Sequence, residues 1–298
     1  MVTKMQNKIE SYGKLFDENL YEYFKEYLPE YKLIFESMEY SVKNGGKRVR
    51  PLLTMLFCDA CGGDVNSALP FAQAVEFIHT YSLIHDDLPC MDNDDYRRGK
   101  PSNHKVYGEA FALLAGDGLL TAAFERISQG CLDGLYDSET AISGVSALSS
   151  LAGSRGMIGG QVVDLLNENN PDADFNTLQL MDSLKTGALI EAACVLGCIV
   201  AGADEEKFNA ARTFSQNIGL AFQIKDDILD VTSSLEKLGK LTGSDTQNGK
   251  STYVTLMGVE KCQALVEKLT EEAMASLNAF PNNEALKAYA EYLAHREK

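Results

Sequence analysis

Carboxylates dominate the chemistry this sequence could do. Asp86-Asp87-Leu88-Pro89-Cys90-Met91-Asp92 is followed at once by Asn93, Asp94, Asp95 and Arg97-Arg98, and a second cluster, Asp226-Asp227-Ile228-Leu229-Asp230, lies far downstream. Two like charges about 4 Å apart repel by roughly 4 kcal/mol at an effective dielectric of 20. Side chains so crowded need a solvated face or a bound cation. One cluster alone fits a solvated face; two, each set in apolar helical sequence, favour cations. All-oxygen ligands suit a hard ion, magnesium or calcium, and the glycine-centred loop of an EF-hand is absent. Magnesium usually completes its shell with water and substrate phosphate, so two facing clusters suggest a polyphosphate held between them.

Spacing refines this. Gln223, Asp226, Asp227 and Asp230 fall at i, i+3, i+4 and i+7 and share one helix face. Leu220, Ile224, Ile228 and Val231 make an apolar stripe beside them. In the first cluster His79 and Asp86 stand two turns apart on one face. Asp92 lies beyond Pro89; a straight helix would aim it about 120° away from Asp86, so joint action requires a break. Two basic spots complete the set, Lys47-Arg48-Val49-Arg50 and Arg97-Arg98-Gly99-Lys100. The first adjoins a glycine turn before a helix start, where free N–H groups favour an anion and arginine suits bidentate phosphate contact.

The elements that must position these residues read as helices throughout. Helical periodicity runs over Asn7–Leu28 and Tyr31–Val42, then from Pro51 to Gly62, and again from about Pro70 to Leu88, where Pro89 should end it. Further helices are expected over Tyr107–Cys131, Ser138–Arg155, Met157–Asn167, Thr177–Ala201, Glu205–Thr232, Thr252–Ala279 and Asn283–Lys298. Pro171–Asp174 reads as a turn and Ser234–Ser251 as a polar, mobile stretch. No stretch alternates with period two, and no repeat or composition break marks a linker. The expectation is one all-α domain over residues 1–298, a bundle of ten or more helices.

Composition sets bounds. The chain has 298 residues and a net charge of −16, which argues against a nucleic-acid binder because no basic surplus exists to displace counterions. No apolar run approaches the roughly 20 residues of a membrane span, and the polar N-terminus lacks a signal-peptide core. A cytoplasmic protein is expected. The seven cysteines are scattered and odd in number, which reads as reduced thiols. Cys58 and Cys61 have CxxC spacing but no second metal-binding pair follows, and both read as structural.

Gly45-Gly46-Lys47-Arg48-Val49-Arg50-Pro51, the run from His85 to Gly99, Gly156-Met157-Ile158-Gly159-Gly160-Gln161, Lys185-Thr186-Gly187-Ala188-Leu189, Phe222 through Asp230, and Gly239-Lys240 through Tyr253 together resemble the trans-prenyl diphosphate synthases, most nearly the bacterial farnesyl type. The resemblance covers nearly the whole chain. It implies an all-α isoprenoid synthase fold around a central cavity, a homodimer, and three magnesium ions held on an allylic diphosphate by Asp86, Asp92 and Asp226, with Asp87, Asp227 and Asp230 in support. It implies that Arg97, Lys185, Lys240 and Lys250 bind the allylic diphosphate. Gly46, Lys47, Arg50, His79 and Arg98 would bind isopentenyl diphosphate, and Lys185, Thr186, Gln223 and Lys240 would serve catalysis.

The implied activity is magnesium-dependent condensation of isopentenyl diphosphate with dimethylallyl or geranyl diphosphate. Within the family a bulky aromatic five residues before the first aspartate, here Tyr81, goes with a C15 farnesyl product. Geranyl or geranylgeranyl diphosphate is the alternative product. Outside enzymes the alternative is a noncatalytic metal-binding or regulatory subunit. The family often has histidine three residues before Lys185, where this chain has Asp182, which alters local charge.

Overall fold

Two long helices carry the two aspartate clusters, and their sequences explain why they stand where they do. In the computed structural model, which describes residues 2–167, 170, 174–232 and 252–295, helix α4 (Val65–Asp86) ends on the first cluster and helix α11 (Glu205–Thr232) bears the second. Asp64 caps α4 by accepting a hydrogen bond from the Asn66 amide. That cap starts the helix five residues ahead of Pro70, which therefore lies inside it rather than opening it. From Ala68 to Ile84 nearly every side chain of α4 is buried, as expected of a helix that is apolar all round.

Around α4 stand α1 (Val2–Leu20), α2 (Lys32–Lys43), α3 (Val49–Ala60), α6 (Glu109–Leu132), α7 (Ser138–Ala152) and α10 (Ala188–Val200). Phe16, Phe57, Phe71, Phe77 and Phe214 are completely buried in this core, each contributing roughly 1.5–3 kcal/mol of burial. Small residues let the helices close. A Cβ on Gly197 would stand 2.4 Å from the Thr54 carbonyl oxygen, and one on Gly116 would stand 2.0 Å from the His85 ring. A second cluster, Leu178, Ile224, Ile228, Tyr253, Val266 and Leu269, joins α9 (Phe175–Asp182) and α11 to α12 (Tyr253–Met257) and α13 (Val259–Ser276). The remaining helices are α5 (Asn103–Tyr107), α8 (Met157–Asn167) and α14 (Glu284–His295). The all-α bundle of ten or more helices is thus the observed fold.

Three expectations are corrected, and the expected lack of a membrane span stands with one qualification. The stretch Thr177–Ala201 is not one helix: α9 passes through a π-helical turn, Ser183–Gly187, into α10. Thr252–Ala279 breaks at Gly258, whose φ of 82° ends α12. A two-residue hairpin missed by periodicity, β1 (Tyr96–Arg97) paired with β2 (Lys100–Pro101), turns through Arg98 and Gly99. Finally, Phe175–Val200 is long and apolar enough to cross a membrane by length and composition, although over half of its most apolar part is buried inside the protein. The turn and the polar stretch expected at Pro171–Asp174 and Ser234–Ser251 fall wholly or largely outside the described residues.

Candidate functional site

The first cluster is shaped by how α4 stops. Beyond Asp87 the chain folds back: the Met91 and Asn93 amides donate to the Leu88 carbonyl, and the Asp92 amide donates to the Asp86 carbonyl at 2.9 Å. This reversal is the break that the Pro89 spacing required, and it sets Asp92 beside Asp86. Burial first, then repulsion from Asp92 and Asp87, pushes the Asp86 carboxyl up to about 6, against the pull of Lys185 and Arg97. Gln161 on α8 donates to Asp86 Oδ1 at 2.7 Å. Asp87 is buried and accepts from Arg97, with Nε at 2.9 Å, so its role here is to fix that guanidinium.

Lys185 and Thr186 lie in the π-helical turn, a local widening common at functional sites. Glycines hold the turn in place: a Cβ on Gly160 would meet the Lys185 backbone nitrogen at 2.1 Å, and one on Gly219 of α11 would meet Gly187 Cα at 3.3 Å. The Lys185 ammonium sits 2.5 Å from Asp164 Oδ2. Burial opposes its charge, but Asp86 and Asp164 carry its pKa above the usual lysine range. Packing thus runs from Asp86 through Gln161 and Lys185 to α11.

On α11 the four-residue face divides. Asp226 is exposed, Asp227 accepts from the Tyr253 amide at 2.8 Å, and Asp230 is buried. Ile224 and Ile228 are buried as the stripe requires, but Val231 is 49% exposed. Gln223 Nε2 donates to Asp182 Oδ1 at 3.3 Å.

Three arginines and a histidine form the basic side. Arg98, in the left-handed conformation at φ 56°, packs its guanidinium on Gly46 and donates to the Gly45 carbonyl. Left-handed backbone at a non-glycine residue is strained and tends to mark functional loops; Arg48 and Asn93 share it. The Arg50 Nε is buried with no hydrogen-bond partner, and burial lowers its pKa to about 10, Glu76 opposing and Arg98 adding to the shift. Burial, Arg50 and Arg98 hold His79 well below the usual histidine range, so its ring is neutral. Arg48 is buried against Glu76 and Asp17 and serves the fold. Lys47 is exposed and lines a cavity of about 900 Å³ between α1 and α14. Lys240 and Lys250 lie outside the described residues.

Sequence reasoning passed over Asp164 and undervalued Asp182. Asp164 was legible at i+3 from Gln161, on the same face of α8. Asp182 is buried, which pushes it up to about 6 against the hydrogen bond from Gln223. Its folded value lies above the unfolded 3.8, so the stability it contributes is full below pH 3.8 and is lost as pH rises through 6. Asp182→Asn imitates the protonated acid. It is expected to match the wild-type melting temperature near pH 4 and exceed it at pH 8, by on the order of 2 kcal/mol of stability. A pH-independent difference in melting curves would reject this.

Residues 31–293 match the polyprenyl synthetase family. The chain is 48% identical over 266 residues, 89% of its length and 74% of the relative's, to "Geranylgeranyl pyrophosphate synthase, chloroplastic" of Catharanthus roseus. It is 49% identical over 265 residues, covering 88% and 73%, to "Putative geranylgeranyl pyrophosphate synthase 8, chloroplastic" of Arabidopsis thaliana. Among solved structures it resembles the Helicobacter pylori geranyltransferase complexed with magnesium and isoprenyl diphosphate, at TM-score 0.86 and 34% identity over 96% of both chains. The cytoplasmic location expected from the polar N-terminus is overturned by these relatives, both of them chloroplastic enzymes.

Proposed function

The chain belongs to the polyprenyl synthetase family and is a prenyl diphosphate synthase; from that premise we propose that it joins isopentenyl diphosphate to an allylic diphosphate at the cluster around Asp86, Arg50 and Gln223, with residues 1–298 acting as one synthase domain. The observation that carries this is Arg50. A buried guanidinium nitrogen without a partner, beside Arg98 and a neutral His79, calls for an anionic group such as a diphosphate.

The donor set fits magnesium. Asp86, Asp92 and Asp226 offer only oxygen, and the repulsion between Asp86 and Asp92 is relieved by a hard cation. Three magnesium ions per site are proposed, and when bound they would neutralise charge growing on the departing diphosphate.

The protein's own groups do the rest. Arg98, Arg50 and His79 hold isopentenyl diphosphate, with Gly46 and Lys47 at its edge. Lys185 and Arg97 hold the allylic diphosphate and stabilise it as it leaves, and Lys240 and Lys250 are proposed to join them. Gln223 donates its amide nitrogen to Asp182, which leaves its oxygen, with the Thr186 hydroxyl, to face the allylic cation. The double bond of isopentenyl diphosphate attacks that cation. The proton then passes to the released diphosphate, so no dedicated base is required. A homodimer is proposed as well, on the exposed Val106, Phe111, Leu113 and Leu114.

For product length the relatives' names support geranylgeranyl diphosphate, C20, over the farnesyl product expected from sequence. One observation favours the C15 reading. Tyr81, five residues or about 7.5 Å along α4 from Asp86, is 6% exposed, its ring set edge-on against His85 at 5.6 Å. An aromatic ring there can floor a product pocket. Chromatography of products from isopentenyl and geranyl diphosphates separates the two. Tyr81→Ala is expected to lengthen the product by at least one C5 unit, and an unchanged product would remove Tyr81 as the floor. Absence of magnesium-dependent diphosphate release would sink the proposal as a whole.

A further inference from the structure

The CxxC pair of the sequence takes no part in the reaction, and the structure separates its two members. Cys58 is buried in α3, its thiol donating to the Asp64 carbonyl at 3.4 Å. Gly63 closes over it, since a Cβ there would stand 2.7 Å from Cys58 Sγ and 2.7 Å from Ala201 Cβ. Cys61, at the C-cap of α3, faces elsewhere. Its sulfur lies 3.9 Å from Cys198 Sγ on the last turn of α10, 137 residues away in sequence. Cys61 is half-buried and Cys198 fully buried, and all seven cysteines are free thiols.

We propose that Cys61 and Cys198 are a dithiol modification site, closed to a disulfide by exchange with an external disulfide and reopened by an external dithiol. The roles follow from position. Cys61, reachable from solvent, attacks a disulfide R–S–S–R as the thiolate and forms Cys61–S–S–R, expelling RS⁻. Cys198 gives up its proton and attacks the Cys61 sulfur, expelling the second RS⁻. Two protein thiols are oxidised and one external disulfide is reduced to two thiols.

The electrostatics agree with that order. The contact with Cys198, then Lys207, lowers the Cys61 pKa, burial opposing, while the same contact and burial raise that of Cys198. Burial pushes Cys58 up to about 12, a poor nucleophile at neutral pH. Closing the 3.9 Å gap to a bond of about 2 Å asks for a side-chain rotation and a small shift. The close approach of α3 and α10 at Gly197 already sets the two backbones together.

The bridge would tie the far ends of two helices whose near ends carry Arg50 and follow Lys185-Thr186. Each cysteine lies roughly 16–20 Å along its helix from those groups, so oxidation should stiffen the pair without touching substrate. A disulfide closing a loop this long stabilises chiefly by restricting the unfolded chain.

The test incubates the full chain with oxidised glutathione, alkylates the remaining thiols and maps peptides without reduction. The expected result is a Cys61–Cys198 crosslink, loss of two titratable thiols, a melting temperature raised by about 5 °C or more, and reversal by dithiothreitol. Cys61→Ser should abolish the crosslink and the shift while keeping prenyl transfer, and Cys58→Ser should leave both intact. Glutathione retained on Cys61 without a crosslink, a Cys58–Cys61 crosslink, or no thiol lost would each overturn the proposal.

Discussion

Asp86→Ala is expected to lower kcat by about 10²–10³-fold, the usual result of removing one group that stabilises developing charge. Asp86 is met from three sides, by the Asp92 turn, by Gln161 at 2.7 Å and by Lys185. The loss should be chemical rather than structural. The folded pKa of about 6 lies above the unfolded 3.8, so stability linked to this group is full below pH 3.8 and lost as pH rises through 6. At pH 8 the carboxylate is a burden on the apo fold, and the alanine variant should melt no lower than wild type. Steady-state diphosphate release at saturating magnesium, with a melting curve alongside, checks both halves. Undiminished turnover would revive a noncatalytic or regulatory role for the aspartates.

Arg50→Met should act on the other substrate. Hydrogen bonds to charged groups contribute about 1.5–3 kcal/mol, so KM for isopentenyl diphosphate is expected to rise roughly 10- to 100-fold, with a smaller change for the allylic substrate. Stability should move the opposite way. The folded pKa of about 10 lies below the ordinary arginine value, so the folded state binds this proton less tightly than the unfolded chain. Its charge therefore costs stability at every pH below about 10, a cost that fades as the pH rises above 10. At pH 8 the methionine variant should melt higher. Inorganic diphosphate should raise the melting temperature of wild type by more than that of the variant, which keeps the Lys185 and Arg97 subsite. An unchanged KM together with a lowered melting temperature would make Arg50 an ordinary core residue.

Particular elements show how much was legible beforehand. Helix α11 was readable almost to its last turn, since its carboxylates and isoleucines follow one period. The hairpin at Arg97–Lys100 was not, because two residues per strand carry no periodicity. The signal available was Arg98-Gly99, filling the two positive-φ positions of a tight turn that Asn-Gly usually takes. The π-helical turn also left no trace in hydropathy. It exists because Gly160, Gly187 and Gly219 let three backbones approach closely around it, and nothing in the sequence says which glycines will meet.

The basic spots divided in the same way. Arg48 and Arg50 are two residues apart in one basic spot, and of the two only Arg50 was expected to bind diphosphate; Arg48 is spent on Glu76 and Asp17 while the Arg50 Nε is left without a partner. The two cysteines of the CxxC likewise face different neighbours, and the sulfur nearest Cys61 belongs to another helix.

By itself the sequence determined the residue types, the helical period and the order of motifs; the period suffices for an all-α bundle because local spacing decides which groups share a helix face, and the motif order carries the resemblance to the prenyl diphosphate synthases. Tertiary structure alone decided the partners. Asp92 reaches Asp86 only through a chain reversal, Lys185 meets Asp164 only because α8 lies on the π-helical turn, and Gln223 is oriented by an aspartate 41 residues away. Charge and hydrogen bonding act through space over a few ångströms, and distance along the chain does not encode which helices will pack.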